Sequence, residues 1–154
     1  MGKIRNLTKL PSEFIDDSKF KSKLQTKYLG AAAGNEKLYL NIDYIKPGGK
    51  SAKYHSHSLQ EEFFAILKGS GLLRFNDEEI EVTTNDFLAK SAGRGNAHQF
   101  INNSDDILII LDCGTKNDND EIYYPDQDVT YSKMEKQAYR KGELIKGWSS
   151  DPNE

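Results

Sequence analysis

Short runs of alternating hydrophobic and polar residues, separated by glycine, asparagine and aspartate, dominate the chain from Lys37 onward. In the first run alternate side chains fall on two faces, one ending in Tyr44 and the other in Asp43. The predicted strands are Leu38–Ile45, Ala52–His57, Glu62–Leu67, Leu72–Phe75, Glu79–Val82, Phe87–Ala89, Ala97–Ile101 and Ile107–Asp112. Because the turn residues recur at short intervals and helical periodicity is absent, the pattern predicts an all-β sandwich or barrel.

Both ends of the chain differ from this middle region. Residues 1–36 are weakly periodic and are predicted to form an N-terminal arm that packs on the barrel of residues 37–126. Residues 127–154 are polar and are predicted to form a C-terminal tail, held by its lone tryptophan, Trp148. No linker, repeat or low-complexity block divides the chain, so we expect one domain with two arms.

Composition narrows the classes of protein to consider. The 154 residues carry a net charge of −3 and have a pI of about 5.7, which argues against a nucleic-acid-binding protein. The single cysteine excludes an internal disulfide and a cysteine-rich zinc site. The longest apolar run is five residues, 107–111, far short of a membrane span, and no signal peptide is recognisable, so we expect a cytoplasmic protein.

The three histidines form the candidate chemistry. His55 and His57 are separated by one residue, so on a strand both imidazoles point to the same side. Glu62 begins the next predicted strand and a turn returns it to the pair, whereas His98 lies on a later strand. Three imidazoles and one carboxylate suit a divalent transition metal, namely Fe, Mn, Ni, Co, Cu or Zn. The sequence therefore predicts one metal site with positions left open for substrate or dioxygen.

These residues stand at the spacing of a known motif. The segment from Gly49 to Gly69 reproduces the first cupin motif, G-x5-H-x-H-x3,4-E-x6-G, at every position. The second motif, G-x5-P-x-G-x2-H-x3-N, is looser: Asn85 and Ser91 replace its first glycine and its proline, and the loop before His98 is two residues longer. Asn102 follows at the expected distance. The chain thus resembles the cupin superfamily from about residue 38 to 126.

The resemblance implies a small double-stranded β-helix, or jelly-roll barrel, of two antiparallel sheets with the metal near one open end. Its metal ligands would be His55, His57, Glu62 and His98. Cupins include dioxygenases, sugar-phosphate isomerases and epimerases, decarboxylases, and proteins that only bind metal or small molecules. The fold alone does not choose among these activities.

Further residues are candidates for contact with a small-molecule substrate. Phe64 and Phe100 are predicted to line an apolar cavity, and Tyr44 either lines it or packs elsewhere. Lys53, two residues before His55, either enters the barrel to meet an anionic substrate or remains solvated. Arg94, between two glycines, either clamps a carboxylate or phosphate or is simply exposed.

Three functions follow as hypotheses. The first is an enzyme that acts on a small metabolite by dioxygenase-like or Lewis-acid chemistry. The others are a non-catalytic metal or ligand sensor and a sugar-phosphate isomerase or epimerase, the latter weakened because no general base stands out beyond the ligands. We also expect a homodimer, since exposed strand edges and two arms favour pairing.

Overall fold

The computed structural model describes residues 5–16 and 23–154. The strands in these ranges are β1 (Ile15–Asp16), β2 (Leu24–Tyr28), β3 (Leu38–Ile45), β4 (Ser56–His57), β5 (Glu62–Lys68), β6 (Ser70–Phe75), β7 (Glu78–Thr83), β8 (Phe87–Lys90), β9 (His98–Ile101), β10 (Leu108–Thr115), β11 (Glu121–Tyr124), β12 (Val129–Ser132), β13 (Gln137–Arg140) and β14 (Glu143–Ile145). A short helix, α1 (Leu29–Ala33), follows β2, and single 3-10 turns cover Leu7–Lys9 and Ser12–Phe14. The predicted all-β class is confirmed.

The strands form two facing layers of antiparallel sheet. One layer is six-stranded, in the order β1-β2-β3-β10-β5-β8. The other contains a three-stranded sheet, β7-β6-β9, and a five-stranded sheet, β14-β13-β12-β11-β4. A single bridge between His55 and His98 joins these two sheets at their edges. The resulting barrel agrees with the predicted jelly roll.

The apolar core lies between the two layers at one end of the barrel. Its buried side chains come from both layers: Ile45, Phe64, Ile66, Leu73, Val82, Phe100, Leu108 and Ile110. Because side chains alternate along a strand, Phe64 and Ile66 of β5 enter this core, as do Leu108 and Ile110 of β10. The other end of the barrel is polar, and it contains the histidines.

The segment before β4 departs from the predicted strand 52–57. Individual hydrogen bonds, and no continuous ladder, hold its backbone. Gln99 Nε2 donates to the Ala52 carbonyl at 2.7 Å, and the Ser51 N–H donates to the Phe100 carbonyl at 3.0 Å. Only Ser56–His57 pair regularly, with β11. This short strand nevertheless places His57 beside the barrel interior.

The C-terminal region is more regular than its polar composition indicates. Residues 127–154 contain β12, β13 and β14, which continue the sheet that starts at β4 and β11. Several turns in this region place non-glycine residues at positive φ, at Asp128, Lys136 and Lys141. Lys136 is an unusual residue type at positive φ, so its turn is harder to predict from the sequence than one with glycine or aspartate. Trp148 packs on Tyr124 at 4.6 Å between ring centroids, as predicted for the anchor of this region.

Candidate metal centre and cavity

Four side chains converge at the polar end of the barrel. His55 Nε2 lies 3.1 Å from His57 Nε2, and His57 Nε2 lies 3.3 Å from Glu62 Oε1. His55, Glu62 and His98 each offer a ligand atom within 4.8 Å of the others. His55 and His98 are held together by a pair of backbone hydrogen bonds, so their ring centroids are 4.7 Å apart. The structure therefore groups three of the predicted ligands within 4.8 Å of one another, and the fourth, His57, contacts two of them.

The spacing of these atoms suits a transition metal. Metal-to-nitrogen distances near 2.1 Å put neighbouring ligand atoms of a six-coordinate ion about 3.0 Å apart, close to the two short contacts. Nδ1 of His98 is buried and has no hydrogen-bond partner among the described residues. A buried polar atom without a partner is costly, and ligation of a metal would relieve that cost. The residues therefore fit the group that the resemblance implies.

The outer nitrogens of two histidines are already engaged. His55 Nδ1 lies 2.7 Å from the Lys53 carbonyl, and His57 Nδ1 lies 2.6 Å from Asp120 Oδ2. Since carbonyl and carboxylate oxygens only accept hydrogen bonds, both rings carry their proton on Nδ1. When both rings are neutral, their Nε2 lone pairs face each other at 3.1 Å. A second proton on His57 Nε2, which can bond Glu62 Oε1, or a bound cation removes this repulsion.

Burial and neighbouring charges set the protonation of the four groups. Burial lowers the pKa of His55 to about 4 and lowers the pKa of His98 well below its usual value. Burial opposes the charged form of His57 too, but hydrogen bonds to Asp120 and Glu62 raise its pKa. For Glu62 the hydrogen bond from His57 and nearby positive charge overcome burial and hold the pKa far below its usual range. Neutral imidazoles and an ionised carboxylate are the forms that bind metal.

Asp120 supports the site from behind. Its carboxylate is fully buried and accepts from the Leu59 N–H at 2.8 Å and the Gln60 N–H at 3.2 Å, besides His57. Lys133 Nζ lies 3.0 Å from Oδ2 of the same carboxylate. Although burial opposes ionisation, the His57 hydrogen bond and the other donors hold the pKa of Asp120 well below its usual range. Asp120 therefore orients His57 as an anion.

The ligands line a cavity of about 330 Å³ inside the barrel. Its floor is apolar and includes Phe64, Phe100 and Ile110. One wall is polar and is formed by inward-facing residues of β3 and β10: Tyr39, Asn41, Asp43 and Asp112. A cavity of this size and mixed lining suits a small oxygen-rich molecule.

The polar wall contains two carboxyl groups that are separate from the metal ligands. Tyr39 Oη lies 3.0 Å from Glu62 Oε1 and 2.9 Å from Asp112 Oδ1, whereas Asp43 Oδ1 accepts from the Thr26 hydroxyl at 2.6 Å. Burial raises the pKa of Asp43 to about 6, although the Thr26 hydrogen bond opposes the change. Burial, followed by the charges of Asp43 and Glu62, raises the pKa of Asp112 well above its usual value. Asp43 therefore titrates near neutral pH, and burial favours the protonated form of Asp112.

A second cavity of about 540 Å³ adjoins the first. The two share Ser51, Ala52 and His55 in their linings, and residues 149–152 line the second cavity. Lys53 holds that segment, since its Nζ donates to the Ser149 carbonyl at 2.6 Å. The C-terminal region thus extends the space beside the histidines.

Comparison with known proteins places this geometry in a family. The family described as "Cupin domain" matches residues 42–114, which include all four candidate ligands. The chain therefore contains a cupin domain over residues 42–114. A search of curated proteins finds no significant match to this cupin.

Solved structures share the fold. A putative sugar phosphate isomerase from Acidithiobacillus ferrooxidans is 27% identical, with a TM-score of 0.68 over 79% of this chain and 74% of its own. A sugar phosphate isomerase of the cupin superfamily from Silicibacter pomeroyi is 24% identical, with a TM-score of 0.70 over 100% and 93%. A polyketide cyclase from Streptomyces resistomycificus is 19% identical, with a TM-score of 0.60 over 75% and 80%. Among the described residues, no helix is long and apolar enough to cross a membrane.

The candidate substrate residues of this cupin are divided between several places. Phe64 and Phe100 line the inner cavity, and Lys53 lines the outer one. Tyr44 lies on the opposite face of β3, where Lys27 Nζ sits 4.7 Å from the centre of its ring. Tyr44 faces away because β3 turns its other face, with Asp43, toward the cavity. Arg94 lies outside both cavities, exposed and 3.6 Å from Glu121.

Sequence reasoning missed the polar wall and the supporting groups. The signal for the wall was present, because Tyr39, Asn41 and Asp43 alternate along the first predicted strand. Which face of that strand is buried depends on its pairing with β2 and β10, which the pattern does not state. Asp120 gave no comparable signal, since it stands in an acidic, asparagine-rich stretch that is typical of a surface loop.

Proposed function

We propose that this cupin is a metal-dependent enzyme that catalyses proton transfer on a small hydroxy-carbonyl metabolite, in the manner of an isomerase. His55, His57, Glu62 and His98 would hold one divalent transition metal. The observation that carries the proposal is the presence of two further carboxyl groups, Asp43 and Asp112, in the wall of the same cavity. An oxygenase needs little besides its metal, whereas proton transfer needs an acid and a base.

The two carboxyl groups suit different parts of the reaction. A bound divalent metal would polarise a carbonyl oxygen of the substrate and make the neighbouring C–H more acidic. Asp43, with a pKa of about 6, is largely ionised at neutral pH and can remove that proton. Asp112, whose pKa burial raises well above its usual value, would supply the proton donor. Similarity to a putative sugar phosphate isomerase supports the same reaction class.

The experiment is solvent isotope exchange on a panel of small hydroxy-aldehydes and hydroxy-ketones, with and without phosphate. Metal-loaded protein in deuterium oxide should place deuterium on the carbon beside the carbonyl, as followed by proton NMR. Asp43→Asn and Asp112→Asn should each lose exchange while retaining metal, since neither group is a ligand. Asp105→Asn, which removes an exposed carboxylate, is the matched control.

Other outcomes separate the remaining hypotheses. Substrate-dependent oxygen uptake by the iron-loaded protein, without exchange, would contradict the isomerase proposal and favour the dioxygenase chemistry predicted from the sequence. A ligand-induced rise in Tm with neither exchange nor oxygen uptake would favour a binding or sensing role. Metal analysis of the purified protein decides the identity of the ion.

We also infer that the protein is a cytoplasmic homodimer that binds no nucleic acid. The outer face of β5 and β8 exposes Phe63, Leu67 and Phe87, and a second copy would shield such side chains from water. The one cysteine, Cys113, forms no disulfide, in keeping with a reducing compartment. Light scattering of the purified protein tests the dimer.

A further inference from the structure

Lys90 is a charged residue buried at the metal site without reaching the cavity. It lies on β8 directly opposite Glu62 on β5, so the two side chains share the inward face of the barrel. The Lys90 side chain is 0% exposed, and its Nζ lies 2.9 Å from Glu62 Oε2. A lysine is almost never fully buried unless it is paired, because the ammonium loses its hydration.

The two oxygens of Glu62 have different surroundings. Oε1 accepts from the Tyr39 hydroxyl at 3.0 Å and lies 3.3 Å from His57 Nε2, so it faces the point where the ligands converge. Oε2 faces Lys90 and lies 3.7 Å from His98 Nδ1. The ion pair therefore occupies the oxygen that a two-oxygen ligand would need.

A role in contacting substrate does not fit this position. The Lys90 ammonium is enclosed by protein and absent from the lining of the cavity, so a substrate held there would meet Glu62 and the histidines instead. A role in packing alone does not explain why an ammonium was kept there. A methionine would fill similar space without the cost of burying a charge.

We propose that Lys90 is a positioning residue that keeps Glu62 a one-oxygen metal ligand and offsets part of its negative charge. The proposal rests on the metal site of the proposed function. With Lys90 in place, the carboxylate gives less charge to a bound ion, so the ion binds less tightly and withdraws electrons more strongly from a substrate oxygen. Lys90 thus lowers metal affinity in favour of Lewis acidity.

The test is titration of chelator-treated protein with Co²⁺ alone, followed by calorimetry and visible absorption, with no substrate present. Lys90→Met should bind Co²⁺ with a Kd at least about tenfold lower than wild type, because one nearby positive charge is removed. The absorption bands should weaken as Oε2 joins the coordination and the coordination number rises. Lys90→Arg keeps the charge and should keep the wild-type Kd, and Lys68→Met, exposed at the end of β5, is the control.

The sign of the change distinguishes this role from packing. Equal or weaker binding by Lys90→Met would overturn the proposal, and so would failure of this variant to fold with saturating Co²⁺, since the ion should replace Lys90 as the partner of Glu62. If wild type binds no metal ion, the proposed function fails together with this inference. Tight binding by wild type with unchanged binding by Lys90→Met overturns only the role of Lys90.

Discussion

Replacing the buried carboxyl of Asp43 with an amide should stabilise the protein at neutral pH. Asp43 is buried in the cavity wall, and its Oδ1 accepts a hydrogen bond from the Thr26 hydroxyl at 2.6 Å. Asn keeps that acceptor and fills the same space, so Asp43→Asn removes the charge without changing the packing. The variant therefore measures the cost of ionising this carboxyl together with its repulsion of Asp112.

The magnitude follows from the pKa of Asp43. A change from 3.8 to about 6 amounts to about 3 kcal/mol, since a tenfold change in proton affinity is worth about 1.4 kcal/mol. Because the folded state holds the proton more tightly than the unfolded state, wild-type stability falls as the pH rises from about 4 to about 6. At about 2–4 °C per kcal/mol for a chain of this size, Asp43→Asn should raise the Tm by about 6–12 °C at pH 8.

Calorimetric unfolding of metal-free protein between pH 4 and pH 8 measures this difference. The rise in Tm of Asp43→Asn over wild type should be small at pH 4 and should reach its full size above pH 7. The exposed substitution Asp105→Asn should change the Tm little at any pH. A gain of equal size at pH 4 and pH 8, or no gain at pH 8, would refute the reasoning. The same variant is expected to lose isotope exchange, so stability and activity should change in opposite directions.

Two further substitutions test the carboxylate that holds His57 and the packing of the barrel. Asp120→Asn should weaken metal binding by about 10–100-fold in calorimetry, because the amide N–H₂ moves the ring proton of His57 onto the nitrogen that must bind metal; unchanged affinity would show that Asp120 does not set this tautomer. Gly71→Ala should lower the free energy of unfolding by about 1–3 kcal/mol in urea, since its Cβ would lie 2.6 Å from the Ile101 carbonyl oxygen. Gly95→Ala meets nothing within 4 Å and should be neutral, so similar losses in both variants would contradict the packing argument.

The strands and the first candidate ligands can be predicted from the sequence for one physical reason. Alternation along a strand is a local property, so the pattern over 38–45 predicts both the first and the last residue of β3. The His55-x-His57 spacing and its distance to Glu62 are local as well, because a short turn fixes where the carboxylate returns. His98 is a candidate as the third histidine of the chain, but its strand lies far along the sequence, so only the second cupin motif relates it to the other ligands.

Strand boundaries are harder to predict from the sequence where side chains, and not a neighbouring strand, bond the backbone. Residues 52–55 look like a strand, yet Gln99 takes the place of a neighbouring strand by donating to the Ala52 carbonyl. In the C-terminal region one turn rests on Lys136 at positive φ, a residue type that seldom occupies such a position.

The sequence alone predicted a cupin barrel and a group of candidate ligands inside it, because strand alternation and the spacing of the first motif are local. Only the tertiary structure decided what surrounds them. Pairing of β3 with β2 and β10 turned Asp43 toward the cavity and Tyr44 away from it, and pairing of β5 with β8 set Lys90 against Glu62. These neighbours lie far apart in the chain, and the chemistry of the site depends on the burial and charge that they create.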